Sequence, residues 1–355
     1  MFLRSLAPHS PFRLVSKLAI TGLVSFSLAG TLGACAVDEQ RSDAEIGVYS
    51  GRHYNTDKEL YRRFTEQTGI RVKLLEGKDD ALIERLNSEG ENSPADVLVL
   101  VDAARLAKAS NMELFQPVAS ASLEKDVPAN LRDDQGRWFG LTRRVRMMVV
   151  NPDQVDPASI DSYADLARAD LKGKLCLRNS KSVYNQSLVA DQIIQRGESS
   201  TAAWVKGMVA NLNQPFFTSD TPLARAVANG DCGVGLVNSY YVGRMLSGNG
   251  GDADQELAQG LKVVFPDPAH VNISGAGVTR YSTKVKEATR LIEFLASPSG
   301  GEGYAEANHE YPLKGLGKDP TLEQFGPFRS DDVSASQMGE INPEAVALMK
   351  VNGWE

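Results

Sequence analysis

Short apolar runs alternate with amphipathic stretches along most of the chain, and the alternation predicts strands that feed helices. "AEIGVYS" (44–50) and "RVKLLEG" (71–77) read as strands, and the wholly apolar "ADVLVLV" (95–101) as one buried on both faces. Between them "TDKELYRRFTEQTG" (56–69) reads as a helix, with Thr56 and Glu59 as a capping box and Gly69 as its stop, and "DDALIERLNSEG" (79–90) as another. "DDQG" (133–136) suits a turn into a long strand within "RWFGLTRRVRMMVVNP" (137–152). Helices are then predicted over 161–169, 184–196, 201–210 and 221–229, and strands over 174–178 and 232–238. "SGNGGDADQ" (247–255) reads as a flexible acidic loop, and no internal repeat is visible. The pattern is that of an α/β protein with mostly parallel sheets.

Two further extended segments, 141–150 and "HVNISGAGVT" (270–279), lie where one α/β lobe has just been completed. A chain that leaves a first lobe, builds a second and returns needs two such crossings. The expected architecture is therefore two α/β lobes joined by a two-strand hinge, with a ligand cleft between them. The boundaries expected are 44–142 plus 275–330 for lobe 1 and 143–274 for lobe 2, leaving a helical segment at 331–355 unassigned.

The N-terminal region obeys a different rule. Arg4, Arg13 and Lys17 precede the apolar "LAITGLVSFSLAGTLGAC", which is short and rich in Gly, Ser and Thr. This reads as a signal peptide over 1–34, with "LGAC" placing a lipid on Cys35 and 35–43 as a tether. A lipid anchor rather than a transmembrane segment is expected. Removing the leader, with its three cations and no anion, takes the formal charge from −7 to near −10 and speaks against a nucleic-acid partner. Two cysteines remain, Cys176 and Cys232, in two apparent neighbouring strands of one lobe. An exported compartment permits a disulfide between them, with two inert buried thiols as the alternative.

Candidate chemistry centres on tyrosine. Of ten tyrosines, Tyr54, Tyr184, Tyr240 and Tyr241 each fall where a strand hands over to a helix, with Asn238 or Ser239 available to cap the last. In open α/β sheets ligands bind at such carboxyl ends of strands, and helix N-termini there favour anions. Tyr49, Tyr61, Tyr163, Tyr281, Tyr304 and Tyr311 read as structural. Calcium and magnesium sites use carboxylates and carbonyls, and the zinc spacings HEXXH and CXXC are absent, whereas Fe³⁺ is hard and charged enough to ionise phenols.

On "VYSGRHYNTD" (48–57), "GENSPADV" (90–97), "WFGLTRRVRMMVVNP" (138–152), "SVYNQS" (182–187), "GLVNSYYVGR" (235–244) and "ANHEYPL" (307–313), the chain resembles the periplasmic ferric-binding proteins of ABC iron importers, most closely the FutA-type members of cyanobacteria. The resemblance implies a type II periplasmic-binding fold that closes over iron and delivers it to an inner-membrane permease, as a monomer and not an enzyme. It makes Tyr54, Tyr184, Tyr240 and Tyr241 the metal ligands, with His53 a fifth that coordinates in some relatives and stands off in others. No carboxylate matches the one used by other ferric-binding relatives, although Asp102 lies in the right region. Fe³⁺ with four phenolates totals −1, so buried cations are needed nearby. Arg144 matches a family arginine in that role, and Arg244 follows Tyr240 and Tyr241 by four and three residues, on one helical face. Arg52, Arg143 and Arg146 read as surface or lobe-linking charges, and His270 and His309 as lying near the hinge or on the surface. The same site would hold Fe²⁺ at lower net charge.

Two other functions use the same regions. A solute-binding protein for a small organic or phosphorylated anion would use the strand-to-helix loops and Arg144 equally well, but has no need of four phenols. An exported enzyme would use Ser180, Ser182 or Ser239, yet no GXSXG or Ser-His-Asp set accompanies them.

Overall fold

A computed structural model describes residues 44–52 and 55–355. The leader, the tether with Cys35, and the pair His53 and Tyr54 lie outside the described residues. The chain begins with β1 (Glu45–Ser50), β2 (Arg71–Glu76) and β3 (Val97–Val101), and β1 pairs in parallel with both others. Helices α1 (Asn55–Thr68) and α2 (Asp79–Glu89) make the crossovers, and α1 stops at Gly69, whose φ of 75° suits glycine and whose N–H donates to the Thr65 carbonyl. Helices α3 (Ala103–Asn111) and α4 (Ala121–Asp126) come next.

The long strand β4 (Phe139–Val150) is the crossing strand expected from the sequence. After it come β5 (Leu175–Cys176), α5 (Val183–Arg196), α6 (Glu198–Ala210), α7 (Asp220–Ala228), β6 (Val234–Asn238), α8 (Ser239–Leu246), α9 (Asp252–Gly260) and β7 (Lys262–Val264). The return strand β8 (Val271–Val278), α10 (Val285–Ala296), α11 (Pro298–Glu306), α12 (Pro320–Glu323) and α13 (Ala335–Val351) complete the chain. The strand order is β2-β1-β3-β8-β4-β6-β5, with β7 also on β4. β4 runs antiparallel to β8 from Phe139↔Ala276 to Val145↔Val271, then continues against β6 from Arg146↔Asn238 to Val150↔Val234. One strand thus starts in the first sheet and ends in the second, and β8 lies beside it as the return crossing.

The continuous apolar run at the end of β4 has a simple cause. Successive strand residues face opposite ways. Met148 and Val150 enter a core with Leu188, Trp204 and Leu236, whereas Met147 and Val149 enter another with Leu223, Val237 and Val242. Both faces of this sheet are covered by helices, so no polar alternation survives. The first sheet has its own core around Val48, Phe64, Leu98, Trp138 and Leu291.

The C-terminal segment belongs to both halves. Ala335 and Met338 at the start of α13 join the first core, and Ala345, Leu348, Met349 and Trp354 join the core under β6. A reciprocal cap between Ser334 and Gln337 fixes its start.

Three expectations are corrected. The sheets are not mostly parallel: β1–β2, β1–β3 and β5–β6 run parallel, but the crossing strands β4 and β8 pair antiparallel with each other, β8 also with β3, and β4 also with β6 and β7. The helix predicted over 161–169 is two short 3₁₀ turns, Tyr163–Ala167 and Ala169–Leu171, because Arg168 between them is extended and the Ser162–Asp165 capping box closes only a single turn. The loop predicted over 247–255 turns helical at Asp252, where Asp254 is held by Arg225 at 2.6 Å.

Candidate functional site

The parallel pairing of β5 and β6, Leu175↔Val234 and Cys176↔Gly235, brings the carboxyl ends of these strands together. The helices after them, α5 and α8, therefore start side by side. Tyr184 is the second residue of α5, and Tyr240 and Tyr241 are the second and third of α8. The Tyr240 hydroxyl donates to the Tyr184 hydroxyl at 3.1 Å. The Tyr240 and Tyr241 rings stack with centroids 4.3 Å apart, 30° from coplanar. Tyr240 is buried, while Tyr184 and Tyr241 are half-buried. Three of the four expected phenols thus meet at two helix N-termini, and the fourth, Tyr54, lies with His53 outside the described residues. The Cys176–Cys232 disulfide, with Cα atoms 5.9 Å apart, ties these strands together as the sequence suggested.

Arg144, on β4, is buried with its guanidinium 5.4 Å from the centroid of the Tyr184 ring. One Nη donates to the Ile273 carbonyl, and Nε has no partner among the described residues. Burial alone would lower its pKa, but Tyr184, Glu310, Tyr240 and Asp102 outweigh it and hold the pKa above the ordinary arginine value. Arg244 is half-buried on α8, one turn beyond the tyrosines.

Sequence reasoning missed Arg178. It leaves the end of β5, and its guanidinium also lies 5.4 Å from the Tyr184 ring centroid. Burial opposes its charge, and Asp220, Tyr241 and Tyr184 more than compensate. Asp220, fully buried at the start of α7, contacts Arg178 at 3.2 Å and Arg146 at 2.7 Å. It also accepts at 3.0 Å from the backbone N–H of Asn238, the residue that ends β6 and immediately precedes α8. Asn238 occupies the cap position, but its side chain accepts from Arg146 at 3.3 Å instead of capping. Asp220 therefore sets both the arginine and the helix that presents two tyrosines. The only trace of this in sequence is a Ser-Asp pair before a helix, which reads as a cap.

Arg146 and Arg52 are neither surface nor lobe-linking charges. Arg146 is buried among Asp220, Asn238 and Asn185, the last at 2.7 Å. Arg52 is buried between Asp57 at 3.0 Å and Glu310 at 2.6 Å, with Tyr304 stacked on it at 4.0 Å. A guanidinium is a fork of five donors, and both sites meet it with buried acceptors. Arg143 donates to the Pro312 carbonyl at 2.7 Å. His309 is paired with Asp319 at 2.6 Å, and His270 is buried, not on the surface.

Asp102 is a structural carboxylate. It caps α3 through the Ala104 N–H at 3.0 Å, accepts from Asn272 at 2.9 Å, and takes the Ser187 hydroxyl from α5. Its oxygens are thereby committed. Asp79, at the start of α2, was also unforeseen: it accepts the Val101 N–H at 3.0 Å, and burial pushes its pKa up to about 6 against the pull of that N–H, Arg105 and Arg144.

Two α/β lobes that share two crossing strands, with polar side chains gathered at strand ends beside the crossing, are the architecture of type II periplasmic binding proteins. The chain belongs to the bacterial extracellular solute-binding protein family, whose sequence profile matches residues 92–329. It is 41% identical over 346 residues to iron uptake protein A1 of Synechocystis sp. (strain ATCC 27184 / PCC 6803 / Kazusa), covering 95% of this chain and 96% of that one. Among solved structures it is similar to Trichodesmium FutA (IdiA) in complex with iron and citrate ligands, with a TM-score of 0.85 at 41% identity over 88% of this chain and 100% of that one. It is also similar to apo FutA2 from Synechocystis PCC 6803, with a TM-score of 0.83 at 39% identity over 88% of this chain and 99% of that one. The resemblance to FutA-type proteins seen in the motifs is borne out. Among the described residues no helix is long and apolar enough to cross a membrane.

Proposed function

We propose that this chain is an extracytoplasmic Fe³⁺-binding protein that captures iron through a tyrosine cluster and delivers it to an ABC permease. The observation that carries this reading is the meeting of Tyr184, Tyr240 and Tyr241 at two helix N-termini beside the buried guanidinium of Arg144 and the half-buried one of Arg178. Phenols are hard oxygen donors that become anionic on ligation, and a trication is the ion best able to ionise them. Tyr54 supplies the fourth phenolate and His53, its neighbour in sequence, a further donor. Arg144, Arg178 and Arg244 offset the negative charge that four phenolates leave around Fe³⁺.

The lobes are 44–142 with 275–330, and 143–274, with α13 strapped across both. The chain acts as a monomer, tethered in the periplasm through lipid on Cys35, and performs no catalysis. The rival reading, a carrier of a small organic or phosphorylated anion, draws on the same guanidiniums and on Arg144 Nε, which has no partner among the described residues. Adding Fe³⁺ to iron-free protein separates the two. A stoichiometric complex with orange-to-red phenolate-to-iron absorption is expected. A colourless ferric complex, or no ferric binding alongside tight binding of an organic phosphate, would favour the rival.

A further inference from the structure

A second cluster of ligand-type side chains lies away from the tyrosines. Asp191 comes from α5, His270 immediately precedes β8, and Asp331 lies on the approach to α13. All three are buried, and one ligand atom from each lies within 4.8 Å of the others. His270 Nδ1 is 3.9 Å from Asp191 Oδ1 and 4.0 Å from Asp331 Oδ2. These separations are too long for hydrogen bonds. Both ring nitrogens of His270 and the Oδ2 of Asp331 have no hydrogen-bond partner among the described residues, although His270 is 1% and Asp331 7% exposed. Buried polar atoms are almost always paired, so three orphaned atoms in one cluster need an explanation.

From this geometry we infer that Asp191, His270 and Asp331 form a structural site for one divalent transition-metal ion, separate from the tyrosine cluster. Ligands on a zinc-type ion stand about 2.1 Å from it, and tetrahedral neighbours about 3.4 Å from one another, so His270 must approach each carboxylate by roughly half an ångström and the two carboxylates must close by up to about 1.4 Å to complete the set. A dication cancels the two carboxylates, which removes the penalty of burying them as bare anions. One imidazole with two carboxylates suits Zn²⁺ or Mn²⁺ and not the all-oxygen sites of Ca²⁺ or Mg²⁺.

The surrounding contacts are those of a supported ligand set. The Asp191 carboxylate accepts from Gln195 at 2.9 Å on both oxygens and from Gln192 at 3.0 Å. Asp331 uses Oδ1 to accept the Val333 N–H at 3.0 Å, which leaves Oδ2 to bind. The His270 backbone is pinned by the Tyr163 hydroxyl and the Arg146 N–H. Such partners orient metal ligands. Burial, helped by Arg146 and Arg144, lowers the His270 pKa to about 3, so the imidazole is in its neutral, metal-binding form. Arg146 does not repel the ion strongly, because Asp220 pairs with it at 2.7 Å. The ion would join three elements at one point: α5, the return strand and the approach to α13.

The test is metal content of the purified protein after growth with added Zn²⁺ and Mn²⁺, measured by plasma mass spectrometry. A Tyr184→Phe/Tyr240→Phe/Tyr241→Phe variant is carried alongside to remove the cargo site. About one zinc or manganese per chain is expected in both proteins, falling at least about tenfold in Asp331→Asn and in His270→Gln, while Asp331→Asn keeps its ferric absorption. Anomalous diffraction from wild-type crystals at the metal edge decides the matter should a variant fail to fold. A peak among Asp191, His270 and Asp331 supports the site. No peak there, or a divalent ion that persists in Asp331→Asn or disappears with the tyrosines, overturns it.

Discussion

The Tyr240 hydroxyl donates to the Tyr184 hydroxyl at 3.1 Å, joining the first turns of α8 and α5. Because β5 and β6 run parallel, both helices start at the same end of the sheet. Replacing either tyrosine by Phe removes a donor oxygen and leaves the ring packing. Ferric affinity should fall by at least about a hundredfold, with little change in unfolding midpoint. Tyr163→Phe is the contrasting variant. Its hydroxyl donates to the Arg146 carbonyl and accepts from the His270 N–H, so its loss should cost about 1–3 kcal/mol of stability and leave iron affinity intact. Equal ferric affinities for Tyr163→Phe and Tyr240→Phe, measured by chelator competition, would show that the cluster is core and not ligand.

The same hydrogen bond makes a prediction about protons. At least one hydrogen lies between the two phenolic oxygens, and Fe³⁺ must displace it to bind both. Ferric affinity should therefore fall with acidification, about tenfold per pH unit for each proton released. Competition against a chelator of known protonation behaviour, between about pH 5 and pH 8, counts those protons. A flat profile would mean that no phenol is ionised on binding.

Asp220 is the keystone of the charge arrangement around the tyrosines. It is fully buried and holds Arg146 and Arg178 while accepting the Asn238 N–H immediately before α8. Asp220→Asn leaves two guanidiniums short of their counter-charge, and removing one partner of a buried pair costs about 3–5 kcal/mol. A large drop in urea midpoint is expected, together with weaker ferric binding as the start of α8 loosens. An unchanged midpoint would show that the pairs contribute nothing.

The disulfide closes a loop with a sequence separation of 56 residues beside these strands. In the chain-entropy description a loop of that length is worth about 4 kcal/mol. Cys176→Ser/Cys232→Ser should lose up to that amount and still show ferric absorption, since both sulfurs lie in the core beneath the strands and not among the tyrosine hydroxyls. In the native sequence, alkylation of the denatured but unreduced protein should find no thiol at either position.

Local pattern makes part of this protein legible in its sequence. Strand and helix periodicity locates β4 and β8 as the two crossings, and the strand-to-helix rule singles out Tyr184, Tyr240 and Tyr241. The features that stay hidden depend on distant partners. Nothing near Arg146 signals a buried carboxylate, because Asp220 lies far along the chain; Arg52 has Asp57 five residues on, but its second partner, Glu310, reaches it only through the fold. Arg178 is hidden for the same reason. The stretch 161–169 has helix-compatible residues, yet the local Ser162–Asp165 cap and extended Arg168 win over periodicity. The two-sided packing of α13 cannot be read from a helix whose apolar residues simply continue past both cores.

Asp79 offers a test of electrostatics at the start of α2. Its carboxylate accepts the Val101 N–H at 3.0 Å, but burial raises its pKa from 3.8 to about 6. The folded protein therefore holds a proton on Asp79 more tightly than the unfolded chain does. Stability from this group is complete below about pH 4, and is lost as pH rises towards 6, because the native state then binds more protons than the unfolded one. By neutral pH the ionised carboxylate lowers stability by roughly 3 kcal/mol at most. Asp79→Asn keeps an oxygen for the Val101 N–H and cannot ionise. The variant should match the wild type at about pH 4 and exceed it by about 1–3 kcal/mol at about pH 7.5, in urea denaturation at both values. A difference that is the same at both pH values would mean that Asp79 does not carry the strained charge assigned to it.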